Sequence, residues 1–306
     1  MQNGHISTYL KQYIDDIEFM EKNPNKLQGL SSGLTDLDKY LNGLRNGELM
    51  LIAARPAMGK TGLAVTIAHN VATHFYQQKE NKSVLYFNLY ASNQQMVKRF
   101  IAKSGDISYF GLKELHDSKR IKSVAESVEK LPIYLANDIY DINDIESEII
   151  KTNKQKPVGL IVVDQLTCVQ HGNLEDYTEF LTQLKHLAVK YNVSIIALAP
   201  VKLNPELRDY KMPRLCDIKG FDKDQSAADQ ILLLYREYYY IRWDEPVRLA
   251  RETVKTFKER CKMWEKECNN KKNVCNVFIG KNNMGDTGEV HLSFNAETAS
   301  FKDWEW

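Results

Sequence analysis

No stretch of this sequence approaches the roughly 20 consecutive apolar residues that span a bilayer, and its start, MQNGHIST, lacks the basic-then-apolar order of a secretory leader. A cytoplasmic location without membrane partners is the expectation. An excess of one charge is lacking too: 41 Lys and Arg stand against 40 Asp and Glu, so no global field draws the chain toward nucleic acid or acidic lipid. Any nucleic-acid site must be local. Cysteine is scarce, 5 in 306 residues, and the odd, scattered set fits reduced thiols better than a disulfide framework. Cys261, Cys268 and Cys275 recur every seventh residue, a spacing that would align thiols along one helical stripe. With no CxxC motif and no paired His beside them, small buried side chains are expected there, not a zinc site.

What is present is organised. Ile6, Leu10, Tyr13, Ile17 and Met20 alternate steps of four and three, the apolar seam of an amphipathic helix that ends near Asn23. Residues 1–28 therefore read as a linker-like helix standing before a core at 29–306. The core opens with ELMLIAA, a short apolar run bounded by Gly47 and Pro56, and a helical pattern starts at Lys60. Further apolar runs follow at SVLYFNL, LPIYLAN, VGLIVVDQL, VSIIALAP and DQILLLYRE, with helical stretches between most of them. Strands alternating with helices mean an α/β fold: a mostly parallel sheet with helices on both faces. From about 238 to 276 the pattern turns to charge and aromatics and reads as an insertion. VFIGKNNMGDTGEVHLSFN then reads as a C-terminal hairpin about a Gly-containing turn.

The stretch ARPAMGKT, Ala54 to Thr61, fits the phosphate-loop pattern except that Ala54 occupies the position usually held by Gly. A strand before it and a helix after it are the context its chemistry needs. Backbone N–H groups and the positive end of the helix dipole then face the phosphates. Lys60 adds a point charge for the β and γ phosphates, and Thr61 a hydroxyl for Mg²⁺. A second metal-linked carboxylate should end another core strand, and GLIVVDQL supplies Asp164.

Read in order, GLSSGLTDLDKYLNGLRNGELMLIAARPAMGKT, LYFNLYASNQQMVKRF, GLIVVDQL, DIKGFDKDQSAADQILLLYRE and IGKNNMGDTGEVHLSFN resemble the C-terminal motor domain of the bacterial replicative helicase family, DnaB, from about Gly29 to Asn295. The resemblance implies a RecA-like P-loop NTPase core. It implies nucleotide contacts from Ala54, Arg55, Pro56, Ala57, Met58, Gly59, Lys60, Thr61, Asp164 and Lys281, with Mg²⁺ at Thr61 and Asp164. Its cofactors would be ATP and Mg²⁺, its partners single-stranded DNA, other replication proteins and further copies of the chain, a hexamer by resemblance. The family's N-terminal domain, which serves primase association and ring assembly, is not matched; the helix from Ile6 to Met20 stands where the family has its linker helix.

The machinery that cleaves ATP does not carry over. Where the family has a Glu that activates the attacking water, this chain has Tyr90, although Gln95 and Arg99 of the next helix still match. A phenol with a pKa of about 10 is a poor base at neutral pH. Lys281 matches the hairpin lysine, but Asn283 replaces the arginine finger that reaches a neighbouring subunit. The polar pair that senses the γ-phosphate has become Ala199 and Pro200. The expected protein binds ATP and hydrolyses it weakly or not at all; the alternative is an active helicase motor using stand-ins such as Lys202 or Arg236. For DNA the resemblance leaves Lys219, with Phe221 to stack on a base or anchor its loop and Asp222 and Asp224 nearby. In the insertion, Arg248, Arg251, Lys255, Lys258 and Lys262 form either a cationic helix face or, with Glu252 and Glu259 interspersed, a solvated one. Trp243 and Trp264 are candidate partner anchors.

Overall fold

The computed structural model describes residues 5–23, 26–111, 118–137, 139, 141–168, 177–220 and 226–305. Helix α1 (Ile6–Lys22) precedes α2 (Thr35–Leu41), β1 (Leu49–Ala54), α3 (Lys60–Gln77), β2 (Ser83–Asn88) and α4 (Asn93–Gly105). Next come α5 (Ser118–Glu129), β3 (Ile133–Ala136), α6 (Ile142–Gln155), β4 (Val158–Asp164), α7 (Thr178–Tyr191) and β5 (Ser194–Pro200). The chain closes with β6 (Gln230–Tyr235), α8 (Tyr238–Ile241), α9 (Val254–Lys271), β7 (Val274–Asn282), β8 (Gly288–Asn295) and β9 (Ser300–Asp303).

Nine strands form one sheet in the order β3-β2-β4-β5-β1-β6-β7-β8-β9. The six from β3 to β6 are parallel, and β7 to β9 add an antiparallel edge. Strand β1 lies near the middle, fully buried on both sides, which is why its sequence LMLIAA does not alternate with polar residues. Its pleat divides it between two cores: Met50, Ile52 and Ala54 pack with α2, α3 and α4, whereas Leu49, Leu51 and Ala53 pack with α6 and α7. On α3 the residues Leu63, Ile67, Val71 and Phe75 are buried, each contributing about 1.5–3 kcal/mol of apolar transfer. That packing fixes the start of α3, and with it the loop between β1 and α3.

The expected C-terminal hairpin is present as β7 and β8, and SFKD after Thr298 extends it by pairing with β8 as β9. Two sequence expectations are corrected. The insertion lies between β6 and β7, so Val274 to Asn276 belong to β7, and Cys275 sits on that strand while Cys261 and Cys268 sit on α9. Cys268 and Cys275 are buried free thiols as expected, Cys261 is half-buried, and the three do not share a helix. Helix α9 starts at Val254, so Arg248 and Arg251 precede it and cannot share its face; Arg248 folds back to donate to the Glu252 carbonyl oxygen. Lys255, Lys258 and Lys262 do lie exposed on α9. Trp264 donates its indole N–H to the Ile241 carbonyl oxygen at 2.7 Å, an internal tie between α9 and α8, whereas Trp243 is exposed. On α1 the side chains of Ile6, Leu10 and Tyr13 are exposed, so that part of the seam lies uncovered in the single chain.

Candidate functional site

The loop after β1 combines two conformations that favour small residues. Ala57 has φ 63° and Gly59 φ 101°. A Cβ at Gly59 would lie 2.8 Å from the Phe301 ring, so both the left-handed backbone and the β9 side chain behind it require glycine there. Lys60 opens α3 and donates its ammonium to the Ala54 carbonyl oxygen at 2.8 Å and to that of Arg55 at 3.4 Å. Burial lowers its pKa to about 8, against the opposing pull of Asp164. Asp164, at the end of β4 and 4% exposed, accepts from the Thr61 hydroxyl at 3.3 Å and the Tyr86 hydroxyl at 2.9 Å. Burial pushes its carboxyl above the usual range, while Tyr86, Thr61, Arg99 and Lys60 pull the other way. A hydroxyl and one carboxylate are hard oxygen donors, the set that suits Mg²⁺ completed by waters and phosphates. A dication there would relieve the buried carboxylate. Among the described residues no cluster of three or more His, Cys, Asp or Glu offers a protein-only cage.

The strand end beside Asp164 carries position 90. Leu89 donates its N–H to the Asp164 carbonyl oxygen at 2.8 Å, which sets Tyr90 one residue past that tie. The turn is fixed further by Asn88, whose side chain pairs with both backbone groups of Ala91, and by the reciprocal Ser92 and Gln95 cap that starts α4. Tyr90 itself is 76% exposed. Between β4 and β1 lies β5, where Ala199 and Pro200 are in register with Ala53 and Ala54, so the end of β5 brings no polar side chain to the loop. Of the two stand-ins, Arg236 reaches the loop. It is 8% exposed, donates to the Ala57 carbonyl oxygen at 3.1 Å and lies 4.0 Å from the centre of the Phe294 ring. The Lys202 backbone is held after β5 by the Asp217 carbonyl oxygen at 2.7 Å.

Lys281 and Asn283 stand elsewhere. In register, Met50 pairs with Gln230 and Gln230 with Asn282, which sets these residues at the start of β1, about 13 Å of strand from Ala54. Lys281 donates to the Ala228 carbonyl oxygen at 2.6 Å. Asn283 is exposed and donates to Asp229 twice, backbone to backbone at 3.0 Å and side chain to side chain at 3.4 Å. Neither can serve the loop of its own chain. Lys219 is exposed, its backbone N–H held by the Pro200 carbonyl oxygen at 2.9 Å; Phe221, Asp222 and Asp224 fall outside the described residues.

A family model, the DnaB-like helicase C-terminal domain, matches residues 29–303. The chain belongs to that family. It is 28% identical over 312 residues to the replicative DNA helicase DnaB of Geobacillus stearothermophilus and 27% identical to the replicative DNA helicase DnaC of Bacillus subtilis, covering 98% of this chain in each case. It spans 62% of the length of both relatives. Among solved structures, one described as an ATPase domain superposes with a TM-score of 0.79 at 25% identity, covering 99% of this chain and 100% of that one. A DnaB-like replicative helicase, described with its interactions with primase, superposes with a TM-score of 0.78 at 25% identity over 99% of this chain and 68% of that one. The RecA-like ATPase fold is thereby established.

This DnaB-like domain also holds two residues at the site, Glu206 and Tyr240, that the sequence did not single out. Arg55 of the loop donates from Nε to Glu206 at 2.9 Å and from Nη1 to the Val201 carbonyl oxygen at 3.1 Å. The Tyr240 hydroxyl donates to the same Glu206 oxygen at 3.0 Å. Nothing in PELR or YYYI marks these residues, because the contacts join segments far apart in the chain. Tyr86 carries a signal of its own, since a tyrosine inside a fully buried strand needs a partner for its hydroxyl.

Proposed function

We propose that this DnaB-like domain binds Mg-ATP at the phosphate loop and turns it over slowly, acting as a nucleotide-gated member of a DNA replication or processing assembly. A loop leading into the start of a helix suits phosphate oxygens, and Lys60, now on the Ala54 and Arg55 carbonyl oxygens, would exchange them for the β and γ phosphates. Thr61 and Asp164 would hold the metal, Asp164 being kept in place by the Tyr86 hydroxyl. The chemistry Mg²⁺ would supply at these two residues is neutralisation of phosphate charge.

The observation that carries slow turnover is Tyr90. The ties of Leu89 and Asn88 fix the strand end where the family's activating Glu belongs, and a mostly exposed phenol stands there instead. Asn283 removes the charge that would cross to a neighbouring site, and Ala199 and Pro200 remove the polar sensor. A second reading, an active helicase motor, draws support from Arg236, a buried cation already at the loop. That guanidinium can stabilise phosphate charge but cannot activate water, so slow turnover is the better reading.

The uncovered apolar residues of α1 favour self-association, a hexamer by family, and Lys219 favours single-stranded DNA as a partner once several copies align it. No described helix is long and apolar enough to cross a membrane, which is compatible with the cytoplasm as its location. Titration calorimetry with Mg-ATP, paired with phosphate release on the same sample, tests the reading. Saturable binding with little release supports it; no binding, or brisk release, overturns it.

A further inference from the structure

The root of the insertion reaches the phosphate loop once directly and once through Glu206. Arg236, one residue past β6, donates to the Ala57 carbonyl oxygen, and Tyr240 of α8 donates to Glu206, which holds Arg55. Glu206 sits in the short turn after β5, so three segments meet on its carboxylate: the phosphate loop, the turn after β5 and the insertion. The Arg55 and Glu206 side chains are 18% and 30% exposed, sheltered enough for the pair to hold one geometry.

Tyr240 is itself held. Its ring stacks on Tyr235 with centroids 5.8 Å apart and meets Tyr239 edge-on at 5.2 Å, with the Lys211 ammonium 5.8 Å from its centre. Burial, then Glu206, pushes its hydroxyl well above tyrosine's ordinary value, so it remains a donor across the working range of pH. Helix α9 stabilises this arrangement from behind, through Trp264 to the Ile241 carbonyl oxygen and through Lys271 to Glu237 at 2.7 Å.

We propose that Tyr240 is a positioning residue for nucleotide binding: through Glu206 and Arg55 it holds the phosphate loop in its receptive shape and makes the insertion part of the nucleotide site's support. Its hydroxyl touches no group that would contact phosphate; its effect passes through the carboxylate and guanidinium. Loss of the hydroxyl leaves Glu206 with Arg55 alone and frees the loop to sample other shapes, which weakens ATP and ADP equally. The inference rests on the proposed binding of Mg-ATP at this loop.

The test is a double-mutant cycle of Tyr240→Phe and Arg55→Ala, with Kd for Mg-ATP and Mg-ADP from calorimetry and the nucleotide-free Tm from scanning calorimetry. Tyr240→Phe should weaken both nucleotides about tenfold, the scale of one hydrogen bond to a charged group. The same lost bond should lower the nucleotide-free Tm by about 3–6 °C in a chain of this size, so the cycle, and not the melt alone, separates the two roles. In the Arg55→Ala background the same change should have no further effect, whereas a purely structural tyrosine would act equally in both backgrounds. Unchanged affinity in Tyr240→Phe, or full additivity with Arg55→Ala, overturns the positioning role while leaving nucleotide binding in place. If the parent binds no nucleotide, the nucleotide reading falls and this inference with it.

Discussion

The two ends of strand β1 differ in what they have kept. At the carboxyl end, Lys60, Thr61, Tyr86 and Asp164 form a connected set around the loop, with hydroxyls on both carboxylate oxygens of Asp164. At the amino end, Asp229 gathers the Leu49 N–H at 2.8 Å, the Lys185 ammonium at 2.6 Å and Asn283 at 3.4 Å, so the position where the family has a finger is turned into local structure. The ends teach that groups for holding a nucleotide and groups for cleaving it are separable. On the proposed reading, the binding groups lie on one loop and one strand of a single chain, whereas the cleaving groups would stand at position 90 and, from a neighbour, at 283. A chain could then lose the second set and keep the first.

Restoring both cleaving groups is the strongest way to break the contrast. Tyr90→Glu with Asn283→Arg should raise kcat by about 10³-fold or more, the scale of an arginine finger, and should change ATP affinity far less. Because 283 lies at the far end of its own sheet, the gain should appear only in assembled protein, and the double change should exceed the product of the singles. Phosphate release against protein concentration checks both points. Next in size, Lys60→Ala should weaken Mg-ATP by about 10- to 100-fold, the loss of a charge-assisted contact. Burial already depresses the lysine, so its removal should not lower the nucleotide-free Tm; calorimetry and thermal melts read the two effects separately.

The smallest effect sharpens the same point through pH. Free Lys60 titrates near 8, and bound phosphates favour its charged form, so above pH 8 binding must take up a proton. ATP affinity should therefore fall as pH rises through 8, by at most about tenfold per unit. Calorimetry at pH 9 in buffers of different ionisation enthalpy should register that uptake, and Lys60→Ala should abolish it.

The sequence displayed the interior of the sheet plainly and its margins poorly. Runs such as LMLIAA and VGLIVVD are apolar throughout because both faces are covered, and turn residues bound them. SFKD carries Lys and Asp on an edge strand of four residues, too short and too polar for a periodic signal, so β9 went unforeseen. Within the site, Lys60, Thr61 and Asp164 were legible because a motif fixes them to a loop and a strand end. Glu206 and Tyr240 were not, since their role depends on where α8 folds back on the turn after β5. Cys275 keeps a seven-residue spacing with Cys261 and Cys268 that is compatible with one helical stripe, but β7 starts at Val274 and takes Cys275 off the helix.

The central claim, binding without brisk cleavage, is met most directly by steady-state phosphate release from saturating Mg-ATP, with and without single-stranded DNA, on protein at assembling concentrations. The account expects turnover well below the 1–10³ s⁻¹ range typical of enzymes, with little stimulation by DNA, on protein shown to be saturated with nucleotide. Turnover within that range, rising strongly with DNA in the unmodified chain, would contradict it and mean that another group performs the role absent at Tyr90.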